Sequence, residues 1–462
     1  MKNHKISHRI YLLTSVLLFG VLLVACGSGS GDSAGVPTYS ASGVVEGDTT
    51  QGVTMNLGGQ ASATVTTDES GNYNFPSLAD GNYTLTPVRI GYTFDPGSVD
   101  FSMHGGKTSR FKFKSRCNNG GKFLLGGTIQ GTPLNLTTVV TTFAGSGTAG
   151  AVDGTGIAAS FNPPAGITTD GSNLYVTDQK NHKIRKIVIA TGVVTTVAGT
   201  GVAGAVDGTG TAASFNIPSG ITNDGTNLYV SDQANHKIRK IVIATGVVTT
   251  VAGRGVAGFA EGTGTAASFN FPSGITTDGT NLYVSDRDNH KIRQIVIATG
   301  VVSTVAGSGV AGAAEGTGAA ASFNTVSGIT TDGIKLYVVD NQNYKIRQVV
   351  IATGVVTTIA GSGTAFHNDG TGAAASFNST TGISTDGSNL YIAEVGGYTI
   401  RKIVIASGVV TTLAGGGGGS NMPGAVDGTG TAASFNQPYA LTTDGSSLYV
   451  TDSGNNKIRR IQ

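Results

Sequence analysis

Residues 181–199 read NHKIRKIVIATGVVTTVAG, and the same nineteen letters return at residues 235–253. Each copy holds an alternating run, KIRKIVI, then the turn letters ATG and a second run, VVTTVA. Alternating, β-branched runs on either side of a glycine turn predict two antiparallel strands. A stretch that returns unchanged indicates a structural building block rather than a unique reaction centre.

The repeat extends from residue 134 to the last residue. Its ASFN phenylalanines, Phe161, Phe215, Phe269, Phe323 and Phe377, are 54 residues apart, and Phe435 follows after a four-residue lengthening. In the first copy the pattern predicts strands at 166–169, 174–178, 183–189 and 193–198. Four short antiparallel strands per copy, joined by glycine turns, predict one blade of a β-propeller.

Counting strands predicts how the ring closes. The sixth copy ends at Gln462, before its fourth strand, whereas VVTTF at 139–143 precedes the first copy and has no partner there. If this segment completes the last blade, the two ends of the repeat region pair with each other. We therefore predict an all-β fold with six blades, closed by an N-terminal strand.

The copies resemble NHL repeats. The segment ASFNIPSGITNDGTNLYVSDQANHKIRKI, residues 213–241, shows an Asn-His-Lys-Ile tract after a strand that ends in Asp. The resemblance covers about 320 residues and implies a six-bladed NHL propeller. It says little about activity, because propellers host unrelated functions.

The N-terminal third predicts secretion and anchoring. A basic leader and an apolar run at 10–24 end in LVAC, which resembles the lipobox of bacterial lipoproteins and implies cleavage of a signal peptide, 1–25, and lipidation of Cys26. A Gly/Ser tether, 26–38, follows. Residues 39–115 predict a small β-sandwich, and their order of phrases resembles the carboxypeptidase regulatory-like, or prealbumin-like, domain. A linker, 116–133, leads to the propeller, 134–462.

Charge argues against nucleic acid as a partner. Residues 134–462 carry 19 Lys and Arg against 19 Asp and Glu. A domain that holds nucleic acid by neutralising phosphates needs a basic excess. We expect an extracytoplasmic protein, peptide or glycan ligand, a membrane contact through the lipid, and a monomer at the cell envelope, with the outer membrane favoured.

One acid–arginine pair returns in every copy. The acid ends the second strand and the arginine lies in the third, and lysine never replaces it, as expected where planar, forked donors are needed. A catalytic pair is needed once per molecule, so we interpret these pairs as structural clamps between blades. They are Asp178 and Arg185, Asp232 and Arg239, Asp286 and Arg293, Asp340 and Arg347, Glu394 and Arg401, and Asp452 and Arg459.

The predicted binding face carries the long loops between blades and the turn that contains the histidine. Its candidate residues are His182, His236, His290, Tyr344, Tyr398, Asn456, His367 and Met422. The last two lie in loops that break the symmetry of the copies. Zinc held by the three turn histidines and calcium held by acidic turns are alternatives, but no zincin or twelve-residue calcium-loop spacing is present, and we predict no cofactor.

These features predict a lipid-anchored envelope protein whose propeller binds a ligand without enzymatic activity. The alternative is a metal-dependent lyase or lactonase that acts at the central opening of the ring. An enzyme needs a unique set of catalytic side chains there, and near-identical copies provide few unique residues. We therefore name no catalytic residue.

Overall fold

The computed structural model describes residues 39–47, 50–88, 92–103, 109–117, 123–125, 128–130, 133–416 and 422–462. The predicted signal peptide, Cys26 and the tether lie outside these residues. Within them the protein is all-β, with only single 3₁₀ turns between strands. None of the described helices is long and apolar enough to cross a membrane.

Two four-stranded sheets precede the repeats. The first has the order β4-β1-β8-β6 and the second the order β3-β2-β5-β7. Alternate residues of both sheets, such as Val45, Leu57 and Phe113, are buried in one shared core. The strands are β1 (Tyr39–Gly47), β2 (Thr54–Gly59), β3 (Ala63–Thr66), β4 (Asn72–Leu78), β5 (Gly81–Val88), β6 (Tyr92–Asp95), β7 (Val99–Met103) and β8 (Ser109–Cys117).

A short hairpin, β9 (Phe123–Leu125) and β10 (Thr128–Gln130), leads to the repeats. Six five-stranded sheets follow, which is the arrangement of a β-propeller, and each sheet is called a blade here. The prediction of four strands per blade was incomplete. The glycine-rich loop adds a two-residue strand to the outer edge of each sheet, as Gly154–Thr155 does along Val193 and Val194.

The strands of each blade are lettered a to e from the innermost to the outermost. The a strands are Pro164–Thr169, Pro218–Asn223, Pro272–Thr277, Val326–Thr331, Thr380–Thr385 and Pro438–Thr443. The b strands are Asn173–Asp178, Asn227–Asp232, Asn281–Asp286, Lys335–Asp340, Asn389–Glu394 and Leu448–Asp452. The c strands are Lys183–Val188, Lys237–Val242, Lys291–Val296, Lys345–Val350, Thr399–Val404 and Lys457–Ile461.

The d strands of blades 1 to 5 are Val193–Ala198, Val247–Ala252, Val301–Ala306, Val355–Ala360 and Val409–Gly415. The e strands are Gly154–Thr155, Gly208–Thr209, Gly262–Thr263, Gly316–Thr317, Gly370–Thr371 and Gly428–Thr429. One 3₁₀ turn follows each e strand, at Gly156–Ala158, Gly210–Ala212, Gly264–Ala266, Gly318–Ala320, Gly372–Ala374 and Gly430–Ala432. Another joins b to c in every blade but the fifth, at Gln179–Asn181, Gln233–Asn235, Arg287–Asn289, Asn341–Asn343 and Ser453–Asn455.

The segment Val139–Ala144 supplies the d strand of the sixth sheet. It lies between Lys457–Ile461 and Gly428–Thr429, with Val140 opposite Ile461 and Ala144 opposite Ile458. Neighbouring a strands contact each other from blade to blade, and the first also contacts the sixth. The two ends of the repeat region are therefore joined by backbone hydrogen bonds.

Each interface between blades has its own hydrophobic cluster. Between blades 1 and 2, for example, Tyr175 and Ile184 of one blade pack with Phe215, Leu228 and Val230 of the next. Burying such large side chains contributes about 1.5–3 kcal/mol each. Blade stacking therefore provides the main apolar stabilisation of the repeats.

Candidate functional site

The buried arginine of each blade holds the loop that enters the same blade. Arg185 is fully buried, and its Nη1 lies 2.7 Å from Asp178 Oδ2. Its other hydrogen bonds go to Ser160 O, at 3.0 Å, and to Val152 O and Asp153 Oδ1, at 2.9 and 2.7 Å. The sequence suggested a clamp between two blades, but the acid and the arginine of each pair lie in the same blade and do not bridge two blades directly. The pair attaches the long loop, which starts at the preceding blade, to strands b and c.

Both carboxylates of this cluster have further partners. Asp178 accepts hydrogen bonds from Asn162 N and from Asn181 Nδ2, and burial nevertheless raises its pKa. Asp153 is half-exposed and accepts a hydrogen bond from Thr196 N at the outer edge of strand d. Burial acts to raise the pKa of Asp153, but the hydrogen bond from Arg185 and other polar contacts outweigh it and lower the pKa.

Blades 3 and 4 have a glutamate in place of the outer aspartate. Glu261 and Glu315 still accept the strand d amide, at 2.9 and 2.7 Å. Among the described ion pairs, neither glutamate reaches the arginine of its blade. In blade 3 the ring of Phe259 lies instead 4.8 Å from the Arg293 guanidinium carbon. The chain thus contains two natural variants of the clamp.

Blade 5 replaces the whole acid–asparagine arrangement. Glu394 Oε2 lies 2.7 Å from His367 Nδ1 and 3.0 Å from Arg401 Nη1, while Gly397 occupies the place of the usual asparagine. A Cβ at Gly397 would lie 2.7 Å from the Glu394 carboxylate, so the glycine makes room for the longer acid. Burial acts to raise the pKa of Glu394, but His367 and Arg401 outweigh it and lower the pKa. The candidate His367 therefore belongs to the clamp of this blade.

The other candidate residues of the binding face share one backbone position. His182, His236, His290, Tyr344, Tyr398 and Asn456 all follow the b–c turn with φ between 52° and 55°. The imidazoles connect neighbouring blades, because Nδ1 of His182, His236 and His290 accepts the backbone N–H of Ile217, Phe271 and Thr325, at 3.2, 3.1 and 3.1 Å. Each of these imidazoles is therefore a hydrogen-bond acceptor at a blade interface.

No metal site is assembled from these groups in the part of the chain that the structure describes, where no cluster of three His, Cys, Asp or Glu side chains is close enough to hold an ion. Met422, the remaining candidate, is an exposed side chain in the loop that enters blade 6. Residues 417–421, the end of the glycine-rich segment before it, lie outside the described residues.

The mouth of the central channel is narrow and is lined by small residues and one tyrosine. It is surrounded by Ser219, Ser273, Ser327, Thr381, Tyr439 and the glycines beside them, around a cavity of about 60 Å³. A Cβ at Gly166, Gly220, Gly274 or Gly328 would clash with the carbonyl oxygen of the residue before the next blade's glycine. Sites for small organic ligands usually enclose about 300–1,000 Å³. This mouth therefore has room for a few water molecules only.

The opposite end of the channel is covered by the segment that precedes the repeats. Gln130 is buried, and its Nε2 donates to Thr331 O at 2.8 Å. Strand β10 also contacts the a strands of blades 1, 5 and 6, and Leu134 N donates to Asp386 Oδ2 at 2.9 Å. The face with the long loops is therefore the one that this segment leaves uncovered.

Sequence reasoning missed the residues that lie two positions before Ser219 and its equivalents at the narrow mouth of the channel. They directly precede each a strand, and in blades 2 to 6 they have φ between 49° and 58°, a region that side chains other than glycine and asparagine rarely adopt. The signal was present in the sequence, since this position carries a different residue in each of the six copies: Pro163, Ile217, Phe271, Thr325, Ser379 and Gln437.

Comparison with known proteins finds relatives that contain NHL repeats. No family model matches the chain. It is similar to SUPPRESSOR OF QUENCHING 1 of Arabidopsis thaliana, with 28% identity over 284 residues, 57% of this chain and 27% of that protein. It is also similar to NHL repeat-containing protein 2 of Gallus gallus, with 27% identity over 52% of this chain and 38% of that protein. The chain spans less than half the length of either relative.

Solved structures support the fold. An auxiliary nutrient binding protein of Bacteroides thetaiotaomicron aligns with a TM-score of 0.54 and 15% identity, covering 88% of this chain and 90% of that one. Identity this low supports the shared architecture alone. Together, the repeated five-stranded sheets and the NHL-repeat relatives support an NHL β-propeller.

Proposed function

We propose that the protein is a lipid-anchored cell-envelope protein whose six blades form one closed NHL propeller that binds a ligand without transforming it. The observation that carries the proposal is that only one of the two ends of the ring is covered. One end is covered by Gln130 and the segment around it, whereas the other presents all the long loops and b–c turns. Loops held by a rigid scaffold are the usual location of binding surfaces.

The N-terminal region would serve as a spacer. The two four-stranded sheets with one shared core are compatible with a sandwich of the carboxypeptidase regulatory-like type. A lipid on Cys26 and a flexible tether would hold this unit at the membrane, with the outer membrane favoured. Because the segment before the repeats covers one end of the channel, the loop face would point away from the anchor.

The ligand would be an extracytoplasmic protein, peptide or glycan, bound by a monomer. The even balance of charges in the repeats disfavours nucleic acid. A binding role is in line with the nutrient-binding protein among the structural neighbours. The alternative, a lyase or lactonase at the central opening, has less support, because glycine, serine, threonine, alanine and one tyrosine line the described mouth.

Two measurements on the full chain test the proposal. Labelling with a palmitate analogue is expected to mark the wild-type protein and to fail with Cys26→Ser, and labelling of both proteins contradicts the anchor. A thermal-shift screen of oligosaccharides, peptides and divalent metals is expected to yield a stabilising ligand that is recovered unchanged. A tightly held metal together with a cleaved ligand contradicts the binding function and favours the enzyme.

A further inference from the structure

One position directly before each a strand, close to the mouth of the channel, differs in all six copies. The four residues ASFN are identical in all six copies, yet the residue directly after them is different in every one. These six residues, called the crown here, are Pro163, Ile217, Phe271, Thr325, Ser379 and Gln437. A residue that served only the repeated architecture would be expected to match in six equivalent environments.

The crown lies where a ligand could reach it. Each member precedes a strand a whose second and third residues, such as Ser219 and Gly220, line the mouth. Ile217 and Phe271 are 37% and 36% exposed, although both are large apolar side chains. Because the cavity below measures only about 60 Å³, a ligand would rest on the crown rather than enter the channel.

The backbone conformation of the crown indicates that its side chains are retained for a purpose. Ile217 has φ 53°, Phe271 49° and Thr325 58°, and a bulky or β-branched residue in this region is an outlier. Glycine or asparagine would adopt the same conformation at lower cost. Strain of this kind persists where the surrounding structure enforces it, and it clusters at functional sites.

The neighbouring blade holds these strained residues in place. The imidazoles of His182, His236 and His290 accept the amide hydrogens of Ile217, Phe271 and Thr325. The edge of His236 also meets the ring of Phe271, with the two ring planes at 88° and the centroids 4.8 Å apart. These three members of the crown are therefore preorganised, which reduces the entropy that a ligand loses on binding.

The two halves of the crown differ in chemistry. Blades 1 to 3 contribute Pro163, Ile217 and Phe271, which are apolar, whereas blades 4 to 6 contribute Thr325, Ser379 and Gln437, which carry hydroxyl and amide groups. None of the six is charged. A sugar ring matches this division, because its C–H face packs on apolar and aromatic groups while its hydroxyls exchange hydrogen bonds with hydroxyls and amides.

We propose that the crown binds the terminal sugar residues of a neutral carbohydrate. This inference rests on the proposed binding function and names its ligand class. The charges on the b–c turns themselves, Lys180, Arg287 and Asp288, are of both signs, with Arg287 Nε 3.5 Å from Asp288 Oδ1, so they do not form a cluster of one sign that would select an ionic ligand.

Isothermal titration of the full chain with neutral hexasaccharides, namely maltohexaose, cellohexaose, xylohexaose and mannohexaose, tests the proposal. At least one is expected to bind, and Phe271→Ala and Gln437→Ala are each expected to raise its Kd about tenfold or more, as truncation of a central contact does. Phe271→Tyr keeps the aromatic ring and is expected to restore most of the affinity. The matched control is Val256→Ala, an exposed valine on the loop of the same blade, expected to change Kd by less than about twofold.

Each other outcome overturns a separate claim. Sugar binding that the crown variants leave unchanged, in proteins that melt like the wild type, places the site elsewhere and rejects the crown. Binding of a peptide but of none of the sugars rejects the carbohydrate class while the binding function stands. Binding of none of the sugars, peptides or metals contradicts the proposed function as well.

Discussion

Removing one buried arginine tests whether the clamps stabilise the blades. Arg239 is fully buried in blade 2, where it forms ion pairs with Asp232 and Asp207, both at 2.7 Å. Two more hydrogen bonds go to Ser214 O and Val206 O, and the guanidinium carbon lies 5.1 Å from the Phe215 ring centroid. Arg239→Ala therefore removes four hydrogen bonds and leaves Asp232 buried without its counter-charge.

The expected cost follows from that stranded carboxylate. Breaking a buried ion pair on one side costs about 3–5 kcal/mol, because an uncompensated charge remains inside the protein. The outer pair contributes much less, since Asp207 is 47% exposed and exposed pairs contribute about 0–1 kcal/mol. Asp207→Glu, which copies the natural state of blades 3 and 4, is therefore expected to cost about 1 kcal/mol or less.

Urea unfolding followed by tyrosine fluorescence measures both variants, since the chain has 14 tyrosines and no tryptophan. Hydrogen exchange then locates the loss, which is expected first in the loop around Ser214. Two results would refute the buried ion pair as the dominant interaction of the clamp. One is an Arg239→Ala protein as stable as the wild type, and the other is a difference in stability of under about 1 kcal/mol between Arg239→Ala and Asp207→Glu.

Three further predictions concern the blade interfaces. Gly220→Ala places a Cβ against Ser273 O of the next blade and is expected to lower the melting temperature markedly, because overpacking commonly costs about 1–3 kcal/mol. The control is Ala440→Gly, in the one a strand that lacks this glycine, and it is expected to change the melting temperature little. Equal changes of both melting temperatures in calorimetry would contradict the close approach of the blades. Desolvation lowers the pKa of His236 from 6.5, against an opposing effect of Asp288, so the unfolded chain binds more protons and stability is expected to fall as the pH drops below about 6.5. His236→Asn, which introduces the residue found at Asn456, is expected to reduce this pH dependence in melts between pH 5 and 8, and an unchanged slope counts against the role of the imidazole. Val140→Asp puts a charge at a fully buried position in the strand that joins the ends of the repeats, and early hydrogen exchange in Lys457–Ile461 is expected, with uniform exchange across all blades as the contrary result.

Regular features of this fold could be predicted from the sequence because each of them occurs in all six copies of the repeat. Alternation in KIRKIVI and VVTTVA, the glycine turns and the spacing of the ASFN phenylalanines are local, and strands and turns respond to local pattern. The candidate pair of Asp178 and Arg185 was also recognisable, because an arginine that lysine never replaces indicates a forked contact with the acid. Position along the chain did not reveal which loop atoms the arginine holds.

Only the tertiary structure decided the features that depend on neighbours far apart in the chain. The e strands have just two residues, too few to leave an alternating pattern, and they form because the Asp153 carboxylate and the strand d amides meet across some forty residues. The strained backbone of Ile217 and Phe271 has the same kind of origin, since an imidazole from the preceding blade accepts their amide hydrogens.

The sequence by itself determined the building block and its number of copies, because the periodicity of side chains and glycines is a property of each segment alone. The tertiary structure decided which side chains became clamps, how narrow the channel is and which end of it stays open, because these depend on close approach between blades. Gly166 illustrates the difference between the two sources of information. Its position in the repeat is evident from the sequence, but the carbonyl of Ser219 that excludes any side chain there belongs to the next blade.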